Sequence, residues 1–311
     1  MSERPERQHD QSRRPGPRFT VIVPTFDRPG PLAACVQALR ALDRPGGALE
    51  IVIVNDGGRP PSPDVLRPAP GDTGLEIHVV EQHNAGPASA RNAGAAAARG
   101  EWLAFTDDDC LPDPRWLSAF DAALRASPAA LVGGRTVNAF PDSVFADASQ
   151  RLADFVSSYF DGGATERFFT SNNIAISREG FLAIGGFDTS FPYSAGEDRE
   201  LCDRWSAQGR PSLAVPEAVV RHAHRLSARG FLRQHFTYGR GAVAFRRVRA
   251  ESGRPVRIDP AFYTRSMAHA LRDGGPARGV VRATLTGFAH AAYAAGLVWE
   301  SRRRATRGPA R

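Results

Sequence analysis

Three aspartates in succession, Asp107, Asp108 and Asp109, follow the apolar stretch Trp102–Thr106. Their like charges repel, and burying any of them uncompensated costs several kcal/mol. A hard divalent cation, Mg2+ or Mn2+, resolves the conflict, since such ions take one or two carboxylates together with substrate phosphates. The competing reading is a solvated acidic turn that caps a helix beginning near Asp113 and Pro114. A fourth aspartate, Asp56, closes another apolar run, Glu50–Val54. It is placed to accept a hydrogen bond from a nucleobase N–H or a ribose hydroxyl, or to serve as an ordinary Asp-Gly turn residue. Arg91 stands alone in an alanine-rich segment and is a candidate for a diphosphate or for a surface salt bridge. Glu197 and Asp198 follow Gly196 at an expected helix start, where the helix dipole favours carboxylates. The catalytic reading makes one of them a general base that takes a proton from a hydroxyl. His222 and His224 complete the set of chemically capable side chains, although a lone histidine is more often structural than a ligand.

These residues need elements to hold them. Phe19–Val23 is a continuous apolar run stopped by Pro24, as expected of a parallel strand buried on both faces. Leu32, Val36, Leu39 and Leu42 recur at helical spacing. Strands are expected at Glu50–Val54, Leu75–Val80 and Trp102–Thr106, with a Pro/Asp/Gly-rich loop over Pro60–Gly74 and a helix over Asn84–Arg99 that stops at Gly100. This alternation means an α/β fold with a mainly parallel sheet, and such sheets bind ligands at the carboxyl ends of their strands. Asp56 and Asp107–Asp109 both fall at such ends. Farther along, strands are expected at Leu131–Val137, Asn173–Ser177 and Ala218–His222, a short helical turn at Phe181–Ile184, a helix at Glu197–Gln208, and basic amphipathic helices from Phe231 onward.

Composition excludes several classes. The 311 residues carry 40 basic and 33 acidic side chains, a net charge of +7, yet contain no lysine. Positive charge built from arginine alone, amid abundant Ala, Gly and Pro, reads as compositional bias, and nucleic acid is not expected as a partner. Cys35, Cys110 and Cys202 are far apart and form no CxxC pair, so neither a disulfide framework nor a zinc knuckle is expected. The polar start has no apolar stretch for a signal peptide, and a cytoplasmic, reducing setting is the expectation. Residues 1–17 read as a disordered leader.

Four segments jointly resemble glycosyltransferase family 2. VIVPTFDRPGPL (21–32) is similar to the family's opening strand and turn, and EIVIVNDGG (50–58) to its second strand, with Asn55 and Gly58 replacing the usual Asp and Ser. NAGPASARNAGAAAARGEWLAFTDDDC (84–110) resembles the approach to an Asp-x-Asp motif. FFTSNNIAISREGFLAIGGFDTSFPYSAGEDRELCDRW (168–205) resembles an acceptor-side block ending in Glu-Asp. The resemblance implies a GT-A fold: a mixed, mainly parallel sheet flanked by helices, forming a catalytic domain over 18–240 and followed by a helical C-terminal extension with a basic tail over 241–311. It further implies an inverting, metal-assisted transfer from a nucleotide-diphosphate sugar to a hydroxyl on a glycan, a lipid-linked molecule or a small molecule, in cell-envelope polysaccharide or glycoconjugate synthesis. Pro24, Thr25 and Asp56 would hold the nucleoside, with Arg91 near the diphosphate. Asp107 and Asp108 would face the nucleotide sugar, and Asp109 and His222 the metal, Mn2+ or Mg2+. Asp198 would be the base, with Glu197 beside it, and Asn172, Asn173, Gly186 and His224 would lie on the acceptor side.

Rival classes fit less well. A nucleotidyltransferase would carry a glycine- and basic-rich loop after the first strand, where this chain has Pro24-Thr25-Phe26-Asp27-Arg28, and no GxGxxG follows that strand for a nicotinamide enzyme. An inactive carbohydrate-binding relative would not be expected to keep Asp56, Asp107, Asp109 and Asp198 together. Val280–Trp299 is interrupted by Arg282 and His290 and falls short of the ~20 apolar residues of a spanning helix. A helix packed on the catalytic domain is expected there. Peripheral contact with the inner face of the cell membrane, aided by Arg302–Arg304, is the alternative.

Overall fold

The computed structural model describes residues 16–70, 72–160, 167–191, 193–256, 259–272 and 275–307. The leader expected over 1–17 therefore lies outside the described residues, except for Gly16 and Pro17. In chain order the strands are β1 (Phe19–Thr25), β2 (Leu49–Asn55), β3 (Leu75–Glu81), β4 (Trp102–Phe105), β5 (Cys110–Pro112), β6 (Leu131–Asn138), β7 (Ile174–Ser177) and β8 (Ser212–His222). They form one sheet in the order β3-β2-β1-β4-β7-β6-β8-β5. The first four strands are mutually parallel, β7 runs antiparallel to β4 and β6, β8 runs parallel to β6, and β5 closes the edge antiparallel to β8. The sheet is mixed and mainly parallel, as expected.

This directionality brings distant residues to one edge. The carboxyl ends of β1, β2, β4 and β8 point the same way, and the antiparallel β7 begins where β4 ends, with Phe105 opposite Ile174. Thr25, Asp56, Asp107–Asp109, Asn172 and His222 consequently gather along a single rim.

Apolar residues alternate between the two faces of β1. Phe19, Val21 and Val23 meet Leu32, Val36 and Leu39 of α1 (Pro29–Arg40) and Trp116 and Phe120 of α4 (Trp116–Ala126). On the other face Ile22, Leu103, Phe105 and Ile176 pack with Phe181 of α6 (Arg178–Ala183) and with Leu201 and Trp205 of α7 (Glu197–Ala207). α3 (Pro87–Ala97) lies close on this face because its residues are small: a Cβ on Gly94 would come within 2.6 Å of Ile22 Cγ2.

Several expectations need correction. The loop at 60–74 contains the single turn α2 (Pro63–Leu66), and β8 starts at Ser212, six residues before the expected Ala218. A seventeen-residue helix, α5 (Val144–Phe160), was not expected, although Phe145, Ala148, Leu152 and Phe155 recur at helical spacing. The C-terminal part is α8 (Ala228–Glu251), α9 (Ala261–Ala270) and α10 (Pro276–Arg307). α8 runs unbroken through residue 240, the expected end of the catalytic domain. All three cysteines are buried and free.

Candidate active site

The rim holds two acidic groups joined by one buried arginine. After β4 the backbone turns through the aspartate triplet, and each carboxylate is held differently. Asp107 is the most accessible of the three and accepts a hydrogen bond from Arg91 Nη2 at 2.7 Å. Asp108 is buried, accepts from Thr25 Oγ1 at 2.7 Å, and pairs with Arg28 Nη1 at 2.7 Å. Asp109 accepts from Arg28 Nη2 at 2.6 Å and faces His222 Nε2 at 3.4 Å. The β5–β8 ladder sets that last contact: it pairs Cys110 with His222, and the Ala223 N–H donates to the Asp109 carbonyl at 2.7 Å.

Asp109, His222 and His224 present ligand atoms all within 4.8 Å of one another. Burial alone would raise the Asp109 carboxyl, but hydrogen bonding and charge from His222 and the Arg28 guanidinium hold it well below the ordinary carboxylate range. Burial pushes Asp108 up to about 6, with Arg28 and Thr25 opposing the rise and the other two aspartates adding to it. His224 is lowered by burial and by the neighbouring His222, whereas His222 is raised by hydrogen bonding and charge from Asp109 against its own burial. One carboxylate and two imidazoles so close together are a donor set that fits a divalent transition ion.

On the other side of Arg91, α7 begins after Gly196, and its first turn carries Glu197 and Asp198. Glu197 Oε1 accepts from Arg91 Nη1 at 3.2 Å, while its buried Oε2 has no hydrogen-bond partner. Asp198 Oδ1 accepts from the backbone N–H of Arg199 at 2.7 Å. Burial raises both carboxyls. The charge of Asp198 raises Glu197 further, while Arg91 opposes the rise at each. Neighbouring carboxylates in such a site resist losing both protons together.

The structure assigns some candidates to packing. Arg91 is only 2% exposed and both of its terminal nitrogens are engaged, so it organises Asp107 and Glu197 where a diphosphate contact had been expected. Asn173 is buried and turned inward: it accepts from Trp116 Nε1 at 2.8 Å and donates to the Ala218 carbonyl at 3.1 Å. Asn172 accepts from Thr170 Oγ1 at 2.7 Å and Thr136 Oγ1 at 3.3 Å near the rim. Gly186 has φ +69°, and a Cβ there would meet Asn92 Oδ1 at 2.5 Å, so it serves a turn behind α3. Pro24 is partly buried at the end of β1. Asp56 accepts from Gln82 Nε2 at 2.6 Å and from the backbone N–H groups of Ala85 and Gly86 at 2.8 and 2.9 Å, which shapes the entry to α3. Arg28 was not among the expected site residues. An arginine three residues past a strand end carries no signal until folding sets it against Asp108 and Asp109.

Known proteins share this architecture. The pre-mycofactocin glycosyltransferase of Mycobacterium tuberculosis is 28% identical over 239 residues, 72% of this chain and 46% of that protein. The validoxylamine A glucosyltransferase of Streptomyces hygroscopicus subsp. limoneus is 30% identical over 231 residues, 65% of this chain and 51% of that protein. The chain thus spans about half the length of these two relatives. Among solved structures, the mannosyltransferase PcManGT of Pyrobaculum calidifontis, in complex with GDP-Man and Mn2+, superposes with a TM-score of 0.62 at 19% identity, covering 92% of this chain and 88% of that one. The description "Glycosyl transferase family 2" matches residues 20–185, more than half of the sequence. With the rim geometry and these likenesses in agreement, the chain belongs to glycosyl transferase family 2 and has the GT-A fold.

Proposed function

We propose that this chain transfers a sugar from a UDP- or GDP-sugar to an acceptor hydroxyl, with inversion, by a single displacement at the anomeric carbon. One observation carries the reading. A carboxylate–imidazole cluster (Asp109, His222, His224) lies two residues from Asp107, and Arg91 pairs with both Asp107 and Glu197, the neighbour of Asp198.

In this reading Pro24, Thr25 and Asp56 border the nucleoside, and Asp107 contacts the nucleotide sugar. Asp109, His222 and His224 would hold a divalent cation. Their mixed nitrogen and oxygen donors suit Mn2+ better than Mg2+, which favours oxygen ligands and keeps its waters. When bound, the ion supplies positive charge against the negative charge that develops on the leaving diphosphate. Arg28, with its side chain 42% exposed, takes the diphosphate-facing role expected of Arg91. Asp198 removes the acceptor proton as the hydroxyl attacks, and its raised pKa makes it a stronger base than a solvated aspartate. Glu197, fixed by Arg91, stands beside Asp198 and orients the acceptor. Asn172, near the rim, borders the acceptor, which is a glycan, a lipid-linked molecule or a small hydroxylated molecule of the cell envelope.

Thermal melting of the full chain with UDP- and GDP-sugars, each with Mn2+, Mg2+ or EDTA, tests the reading. Ligand at a hundred times its Kd stabilises by about 2.7 kcal/mol, so the correct donor with Mn2+ gives the largest rise in Tm. Asp198→Asn keeps that rise and loses transfer. Stabilisation by nucleoside triphosphates above every nucleotide sugar, or near-normal turnover by Asp198→Asn, would overturn it.

A further inference from the structure

The outward face of α10 is built the wrong way round for a helix in water. Between Gly279 and Glu300 its charged residues point inward. Arg282 is buried against Asp147 of α5, and at the far end Glu300 is buried between Arg240 of α8 and Arg304. The solvent side carries Val280, Val281, Phe288, Val298 and Trp299, each 43–59% exposed. Only Thr284 and exposed alanines, Ala291, Ala294 and Ala295, interrupt them. At 1.5 Å per residue the stripe from Val280 to Trp299 runs about 29 Å. A solvated helix face of that length ordinarily carries charge, and contiguous exposed apolar surface marks a contact site.

Charge identifies the occupant. Exposed arginines bracket the stripe, Arg272 and Arg278 before it and Arg302 after it, with Arg303 and Arg304 beside the latter. Aromatic and aliphatic residues on one face with arginines at both ends are the pattern of a helix lying flat in an anionic lipid interface, where tryptophan settles at headgroup level. A self-association surface would place arginines of one copy near those of another wherever the stripes align. No helix among the described residues is long and apolar enough to cross a membrane, so the stripe would lie on a bilayer rather than span it.

We propose that α10 docks the protein flat onto an anionic membrane surface, with Phe288 and Trp299 inserted and the flanking arginines against lipid phosphates. The proposal is independent of the donor and acceptor assigned above.

The four tryptophans provide the test. Trp102, Trp116 and Trp205 are buried and Trp299 is 59% exposed, so a change in the exposed emission component reports on α10. The full chain is titrated with vesicles of phosphatidylglycerol and phosphatidylcholine, and separately with phosphatidylcholine alone. The expected result is flotation with the anionic vesicles, a blue shift of emission and weaker acrylamide quenching, all reduced by high salt. Phe288→Ser with Val281→Ser lowers vesicle affinity by about tenfold or more, since each removes buried apolar surface, while the melting temperature stays near that of the parent. Trp299→Phe loses the blue shift but still floats. Failure to float with anionic vesicles overturns the proposal. So does concentration-dependent dimerisation that shields Trp299 without lipid, which would make α10 a self-association surface.

Discussion

Arg91 and the carboxylates around it carry the most direct residue-level consequences. Its guanidinium is buried between Asp107 and Glu197, and removing one partner of a buried pair leaves the other charge uncompensated. Arg91→Met is expected to destabilise the chain by about 3–5 kcal/mol, read from chemical denaturation. The charge of Asp198 raises Glu197, and since repulsion between neighbouring carboxylates acts in both directions, the neutral Glu197→Gln should lower the pKa of Asp198. A base must be unprotonated to act, so transfer falls as pH drops through the pKa of the pair. The acid limb of kcat/KM should therefore lie above the usual carboxylate range in the parent and move to lower pH in Glu197→Gln. An unmoved limb would mean that the two carboxyls do not interact. Arg28→Ala removes the cation already sitting on Asp108 and Asp109. Since a partly exposed pair is worth about 0.2–1 kcal/mol, Mn2+ affinity without donor should rise by up to about fivefold, measured by calorimetry.

At the scale of elements, helix α3 makes the sharpest prediction. A Cβ on Gly94 would press into Ile22 Cγ2, so Gly94→Val is expected to cost about 1–3 kcal/mol by overpacking and to lower Tm accordingly. The same element shows what can be read from sequence. Its alanines and glycines announce close packing on the sheet, and the unbroken apolar runs of β1, β2 and β4 announce strands buried on both faces. Asp56 and the aspartate triplet could be placed at strand ends because the strands themselves were legible. Contacts that depend on register were not. No local pattern states that Cys110 pairs with His222, and that pairing is what brings Asp109 to His222 and His224. Asn173 was expected on the acceptor side only through the family resemblance of the 168–205 segment. Its side chain turns instead toward Trp116 and Ala218, a direction fixed by packing between elements far apart in the chain.

For the whole molecule, the mixed sheet concentrates the polar chemistry at one rim and leaves the C-terminal helices to brace the structure. α5, α8 and α10 share a small core in which Ala148, Phe231 and Ala289 pack with Phe145, Leu152 and Leu285. α8 and α10 cross closely enough that a Cβ on Gly239 or Gly296 would strike the backbone of the other helix. A chain truncated at residue 240 would cut α8 and strip this core, and it is expected to lose the single cooperative melt of the full chain, followed by circular dichroism.

Asp109, His222 and His224 are proposed to hold a divalent cation together at the rim. Pulsed electron paramagnetic resonance of the full chain loaded with Mn2+ tests it most directly, because nitrogen nuclei coordinated to the ion modulate the echo. Modulation from two imidazoles is expected, reduced to one in His222→Ala or His224→Ala and accompanied by weaker Mn2+ binding in Asp109→Asn. A spectrum with oxygen ligands alone, unchanged by both histidine substitutions, would contradict it.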